Sequence, residues 1–445
     1  MDVSRKLSQK VSAHPKGDLV YSLPLNNQSF SNKTKNFLSI FIYFSFIPRF
    51  IFSDKSENIL HYTATKLLIS GSVMISLLSP LPAMTQTLKK ESYGALPSGE
   101  TVELYTLHNK NGMEVQFISY GGIITAIKVP DKNGRIDNVV LGFSDLEGYS
   151  KKDAEANICF GALIGRYANR IARGTFVLEG KTYHTPINLP PNTLHGGNTG
   201  FNKKLWHVQP LSGLKQTTGA ELTLTSADGE EGFPGKLQVK VRYILDDDNQ
   251  LHIHYHATTD KPTVINLTNH SYFNLAGEGS GSVANHRLKI NASLFTPTDA
   301  NGIPTGQISP VAQTPFDFRA MHAIGDFLRS NDQQMLQARG YDHNWIIDGY
   351  DGKTLREAAI LSDPQSGRSL TVLTTQPAMQ VYTGNSLNGA YAGPSGRAYR
   401  QTDGVALETQ HYPDSPNHPS FPTTTLLPGQ EYDQTTVFRF QTAAP

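Results

Sequence analysis

From about residue 89 to residue 445 the chain predicts an all-β protein, a large antiparallel β-sandwich with few short helices. Three observations carry this. Apolar residues recur at every second position, the period of a half-buried strand. Turn residues interrupt these runs, in a chain that holds 38 Gly and 26 Pro. Helical periodicity is nearly absent, and many antiparallel strands closing over one core make a sandwich.

The elements follow in order. Val115–Ile118 and Ile123–Val129 read as strands, and Asp145–Ser150 as a short helix. Leu222 and Leu224 alternate with polar neighbours, as do Leu237, Val239, Val241 and Tyr243. The cluster Asp246-Asp247-Asp248-Asn249 predicts a turn, after which Leu251, Ile253 and Tyr255 alternate again. Pro262–Thr268 reads as one strand, Ile324–Leu328 as a second short helix, and Ser369–Leu373, Met379–Tyr382 and Thr436–Phe440 as strands. No linker splits residues 89–445 and no fixed-period repeat occurs, so they are expected to form one domain.

Composition narrows the function. With 38% hydrophobic and 17% charged residues over 445 positions, the chain is globular. A formal net charge of +1 gives no basic field for nucleic acid. The single cysteine, Cys159, excludes a disulfide framework and multi-thiolate metal sites. Nine of the 39 Lys/Arg and four of the 38 acidic residues fall before residue 84, which leaves a net charge of −4 downstream. A mildly acidic body suits neutral small-molecule substrates.

The first 84 residues read differently. Lys66, the apolar run Leu67–Leu78 and the small residues ending at Ala83 have the three parts of a secretory signal, so 61–84 is expected to direct export. Residues 1–60 are expected to be a disordered leader, with translation beginning near residue 60. On this reading the mature protein is periplasmic or secreted, with no stable membrane insertion after processing; it is cytoplasmic if the segment is not a functional signal. A rival reading makes residues 37–53 a membrane anchor, although the run is short for a span.

Two stretches offer proton chemistry. His270 lies just past the strand-like run in Asn266-Leu267-Thr268-Asn269-His270-Ser271-Tyr272-Phe273-Asn274-Leu275. An imidazole there can give or take a proton near neutral pH, or it can be a structural histidine bonded to the loop backbone. In Val405–Gln410, Val405 and Leu407 share one strand face and Glu408 points to the other. It reads as a general base or as half of a rim salt bridge. His195 in Leu194-His195-Gly196-Gly197, Asp342 in Tyr341-Asp342-His343-Asn344-Trp345, and Asn169 with Arg170 in Gly165–Ile171 add donors and acceptors suited to hydroxyl groups.

Metal and nucleotide readings are weaker. His252, His254 and His256 share a strand face, which the solvated side of a strand explains more simply than a metal site does. Joining His195, His270, Asp342 and Glu408 as zinc ligands lacks a local ligand pair. Gly277-Glu278-Gly279-Ser280-Gly281 lacks the Lys and the helix of a phosphate loop. No cofactor is expected.

Taken together, Gly165–Ile171, Thr193–Gly197, Asn266–Leu275, Tyr341–Asn344, Thr375-Gln376-Pro377, Tyr382–Asn385 and Leu407–Gln410 resemble the aldose 1-epimerase (galactose mutarotase) family. The resemblance covers roughly residues 92–443. It implies the galactose mutarotase-like supersandwich, with a free hexose bound in a cleft on one face. It implies His270 as general acid and Glu408 as general base, with Arg170, His195, Asp342, Asn169 and Gln376 contacting the sugar. Trp345 stands where that family commonly has Phe. Two rivals use similar residues: a glycoside hydrolase or lyase on the same fold, and a non-catalytic sugar-binding protein. The protein is expected to be a monomer or weak dimer.

Overall fold

The computed structural model describes residues 88–214 and 217–443. The leader 1–60 and the signal-like segment 61–84 lie outside them. Among the described residues no helix is long and apolar enough to cross a membrane.

The body is antiparallel β-structure, as the alternation predicts. A nine-stranded sheet runs, in spatial order, His207–Pro210, Thr217–Ser226, Leu237–Asp246, Gln250–Thr259, Tyr432–Thr442, Arg368–Thr374, Arg356–Ser362, Arg287–Ile290 and His322–Ala323. A six-stranded sheet runs Tyr272–Phe273, Val405–Gln410, Ala378–Tyr382, Asp342–Ile346, Leu294–Thr296 and Ser309–Pro310. A five-stranded meander, Lys89–Ala95 to Ile136–Asn138, adds to the same core.

Side-chain period two explains this packing. Leu237, Val239, Val241 and Tyr243 lie opposite Thr259, Ala257, Tyr255 and Ile253 in register, and all but Thr259 are almost fully buried. The turn between the two strands forms at the predicted place because Asp246 Oδ1 accepts the backbone N–H of Asp248 and of Gln250, each at 2.9 Å. On the other face, half-buried His252, His254 and His256 each meet a carboxylate, of Asp246, Asp433 and Glu431 respectively. They bind no common point, which is the solvated-face reading.

From the six-stranded sheet, Phe273, Trp345, Met379, Val381, Val405 and Leu407 face the shared core. Phe273 meets Phe438 of the nine-stranded sheet edge-on, with ring centroids 5.1 Å apart, a contact worth about 0.5–1.5 kcal/mol beyond its burial. Trp345 belongs to this face, where its Nε1 donates to Phe316 O at 2.9 Å. Residues of opposite parity on the same strands point away from this core, and they build the site.

Three local expectations are adjusted. Pro262–Thr268 is not one strand but two short ones, Thr263–Val264 and Thr268–Asn269, with an isolated parallel bridge from Asn266 to Tyr167 between them. The helix expected at Asp145–Ser150 begins at Leu146 and runs on through Gly148–Asp153 and Ala154–Ala156, and Ile324–Leu328 shrinks to the single turn Ile324–Asp326. An unpredicted helix, Gln333–Ala338, starts at Asp332, whose side chain accepts the Gln334 N–H at 2.8 Å.

Candidate active site

Strand register assembles the first half of the site. Gln380 stands opposite both Asn344 and Glu408, and Tyr382 opposite both Asp342 and Ala406, while Ala406 stands opposite Tyr272. Cross-strand partners share a face. Asp342, Gln380, Tyr382, Glu408 and Tyr272 therefore lie on one side of the sheet, away from the core that holds Leu407 and Val381.

Loops supply the second half. The His270 N–H donates to Ala162 O at 2.9 Å, and its carbonyl accepts the Gly161 N–H at 3.0 Å, which fixes where the imidazole leaves the chain. Gly161 is required there: its φ is +66°, and a Cβ would sit 2.0 Å from the Ile124 carbonyl oxygen. His195 and Asn169 both occupy the left-handed region, with φ of 52° and 64°. Strain of this kind persists where surrounding bonds over-determine it. Here the His195 N–H donates to Asn169 O at 3.0 Å, and the Asn169 N–H donates back to His195 Nδ1 at 3.2 Å.

The result is a cleft of ≈ 300 Å³ lined by His270, Glu408, His195, Asp342, Arg170 and Asn169, with Tyr272 and Tyr382 on its walls. That volume is at the small end for ligand pockets, a size for a monosaccharide. A groove of ≈ 730 Å³ elsewhere is larger. His411 lines it, its pKa lowered to about 4 by burial.

Within the cleft, His270 Nε2 lies 3.3 Å from Glu408 Oε1, and both side chains are almost completely buried. Among the described residues, His270 Nδ1 and Glu408 Oε2 have no hydrogen-bond partner. Burial lowers the His270 pKa to about 4. Burial, and then the negative Asp342, push Glu408 well above its ordinary range. Both shifts disfavour charge, as burial does for an acid and a base taken out of water together. Perturbed acid–base pairs in clefts mark functional sites.

Asp342 behaves in the opposite way. Burial works to raise its pKa, but the Arg170 guanidinium and the Gln380 amide outweigh it, and the carboxyl stays below its ordinary range. Arg170 Nη2 donates to Oδ2 at 3.0 Å and Gln380 Nε2 to Oδ1 at 2.6 Å. Arg170 Nη1 also reaches Asn169 Oδ1 at 3.3 Å.

His195 is held neutral by burial, then by His270 and Arg170. Because its Nδ1 accepts the Asn169 N–H, the hydrogen-bond geometry assigns its proton to Nε2. This bears on metal binding. His195, His270 and Glu408 offer ligand atoms within 4.8 Å of one another. A ligating nitrogen needs a free lone pair, however, and at His195 one nitrogen is occupied and the other protonated. Two groups remain, fewer than the three protein ligands of a typical catalytic zinc. The donor set does not fit a metal.

One expected contact is corrected. Gln376 is fully buried outside the cleft; its Nε2 donates to Tyr432 Oη at 2.8 Å and its Oε1 pairs with His411 Nδ1 at 2.9 Å. Gln376 precedes Gln380 by four residues, about 13 Å of extended chain, which carries it past the end of the site. The glutamine beside the cleft is Gln380, which the sequence reading missed, as it did the wall residue Tyr272.

Comparison with known proteins agrees with this geometry. A family model described as aldose 1-epimerase matches residues 103–439. Galactose mutarotase of Mus musculus is 46% identical over 352 residues, covering 79% of this chain and 98% of the relative. Aldose 1-epimerase of Escherichia coli is 39% identical over 355 residues, with the same coverages. The crystal structure of galactose 1-epimerase from Lactobacillus acidophilus superposes with a TM-score of 0.71 at 31% identity, covering 81% of this chain and all of the other. The chain belongs to the aldose 1-epimerase family.

Proposed function

We propose that the protein interconverts the α and β anomers of free hexoses such as galactose and glucose, with His270 as general acid and Glu408 as general base. The observation that carries this reading is the buried pair, His270 Nε2 and Glu408 Oε1 3.3 Å apart, on residues that line a monosaccharide-sized cleft.

Proton bookkeeping fits the reaction. Glu408 takes the proton of the anomeric hydroxyl while His270 gives one to the ring oxygen, and the C1–O5 bond breaks. The aldehyde turns about C1–C2 and recloses with the roles reversed. The pair begins and ends each half-reaction with one proton, so nothing is exchanged with solvent. The neutral imidazole and protonated carboxyl favoured by burial correspond to the ring-open stage, and the ionised tautomer corresponds to the cyclic sugar. His195 Nε2–H, Arg170 and Asn169 hold hydroxyl oxygens as charge moves, and Asp342 accepts a sugar hydroxyl.

Hydrolysis is less well supported. It commonly uses two carboxyl groups across the glycosidic bond, whereas both oxygens of Asp342 are already bonded by Arg170 and Gln380. Polarimetry on fresh α-D-galactose and α-D-glucose separates the readings. Anomer equilibration accelerated over solvent supports epimerase action, release of reducing sugar from oligosaccharides supports a hydrolase, and binding without acceleration supports a lectin-like protein.

We also infer that residues 89–445 work as one domain, that the protein is a monomer or weak dimer, and that 61–84 directs export to the periplasm or beyond. The support for export is the basic–apolar–small pattern of that segment. A mature N-terminus near residue 84 in an exported fraction is expected; a native protein beginning before residue 60 removes the inferred start.

A further inference from the structure

We infer that Asn266 is a positioning residue that sets the distance between the acid and the base. It lies four residues before His270, on a chain segment separate from the one carrying Glu408. Its side chain is fully buried and touches nothing in the cleft. Yet it joins the segments that deliver the working groups. Nδ2 donates to Ala168 O and to His411 O, each at 3.2 Å, and Oδ1 accepts the His411 N–H at 3.0 Å. Its backbone N–H donates to Arg166 O at 3.1 Å, and its carbonyl accepts the Ala168 N–H at 2.8 Å.

Ala168 is two residues before Arg170, and His411 is three after Glu408. The amide therefore acts as an extra peptide-like rung that closes three chain segments at one point. It offers two N–H donors and a carbonyl, and each finds a backbone partner. It also accounts for the break in the expected strand: between Thr263–Val264 and Thr268–Asn269 the chain leaves its sheet partners to make these bonds. Relaxing the rung lets His270 and Glu408 drift relative to each other, and small misplacements of reacting groups are costly in rate.

The inference rests on the reading of His270 and Glu408 as acid and base, and the test separates the two. Asn274 is the control: it is equally buried, and its Nδ2 donates to Gly281 O at 2.7 Å and to Asp403 O at 2.9 Å rather than to Ala168 or His411. Asn266→Ala, Asn266→Asp and Asn274→Ala are compared by melting temperature, by kcat and KM for α-D-galactose, and by the pH–rate profile. Asn266→Asp keeps the shape and the acceptor and loses both donors, so it serves if the alanine variant does not fold.

Both alanine variants should melt lower. Asn266→Ala should lose roughly tenfold to a hundredfold in kcat with KM within about threefold, while Asn274→Ala keeps kcat within about threefold per folded protein. The pH–rate profile of the Asn266 variants should shift, because the separation of the two groups sets how strongly they share a proton; a loss of folded protein alone does not move it. Wild-type kcat and pH profile in a folded Asn266 variant overturn the inference, as does an equal loss in Asn274→Ala or failure of both Asn266 variants to fold. If instead His270→Gln and Glu408→Gln remain active, the acid–base reading itself fails.

Discussion

His270 Nε2 and Glu408 Oε1 lie 3.3 Å apart although 137 residues separate them in the chain, and among the described residues nothing bonds the second oxygen of that carboxyl. A loop anchored on Ala162 delivers one and the strand Val405–Gln410 the other. Glu408→Gln and His270→Gln each remove proton transfer and nearly preserve shape. Turnover on α-D-galactose should fall by at least roughly a hundredfold in either variant, with circular dichroism unchanged. Near-normal rates in one of them would remove it from the proton path.

What the sequence reveals here is parity. Alternation shows that Glu408 leaves the strand opposite Leu407, and it does so because Leu407 is drawn into the core with Val381 and Phe273. Parity does not reveal position along a face. Gln376 and Gln380 have the same parity, and only the register of Ala378–Tyr382 against Val405–Gln410 brings Gln380 to Glu408. Register is set by contacts between strands distant in sequence, so alternation alone does not tell Gln376 from Gln380. The convergence of His195, Asp342 and His270 is likewise tertiary, and motif order rather than any local pattern suggested it. Helix Gln333–Ala338, six residues long, was too short for periodicity to register.

The two glutamines should separate cleanly on mutation. Gln380→Ala takes a 2.6 Å donor from the Asp342 carboxylate. Hydrogen bonds to charged groups are worth about 1.5–3 kcal/mol, so KM for galactose should rise roughly tenfold or more if Asp342 binds the sugar. Gln376→Ala instead strands His411 Nδ1 and takes one bond from Tyr432 Oη, which keeps its contacts with the Leu267 backbone. It should cost about 1–3 kcal/mol in urea unfolding and leave KM close to wild type. The reverse pattern would restore Gln376 as the sugar contact.

His411 gives a pH test with a definite sign. Burial lowers its folded pKa to about 4, against about 6.5 unfolded. Between these values the unfolded chain binds the proton that the folded chain refuses, so the His411 contribution to stability shrinks as pH falls from about 6.5 to about 4. The slope is at most about 1.4 kcal/mol per pH unit for one group. His411→Gln removes that titration. In urea unfolding measured at several pH values, wild type should exceed the variant most above pH 6.5 and the gap should narrow on acidification. A gap that is constant with pH means that His411 titrates alike in both states.

The tautomer of His195 decides whether that residue gives or takes a hydrogen bond in the cleft. Asn169 supplies an N–H to Nδ1, and burial keeps the ring neutral, so Nε2 must carry the hydrogen and face the site as a donor. A donor there stabilises an oxygen that gains negative charge as the ring opens, an effect that disappears with the N–H. Removing one such donor typically costs a factor of about 10²–10³ in kcat, so His195→Phe should lose activity on that scale while His195→Gln, whose amide can donate, should retain more. Nitrogen-15 shifts of the wild-type imidazole near neutral pH should show an unprotonated Nδ1 and a protonated Nε2. The opposite assignment would turn His195 into an acceptor, and with a lone pair facing His270 and Glu408 it would reopen the three groups as a metal-ligand set.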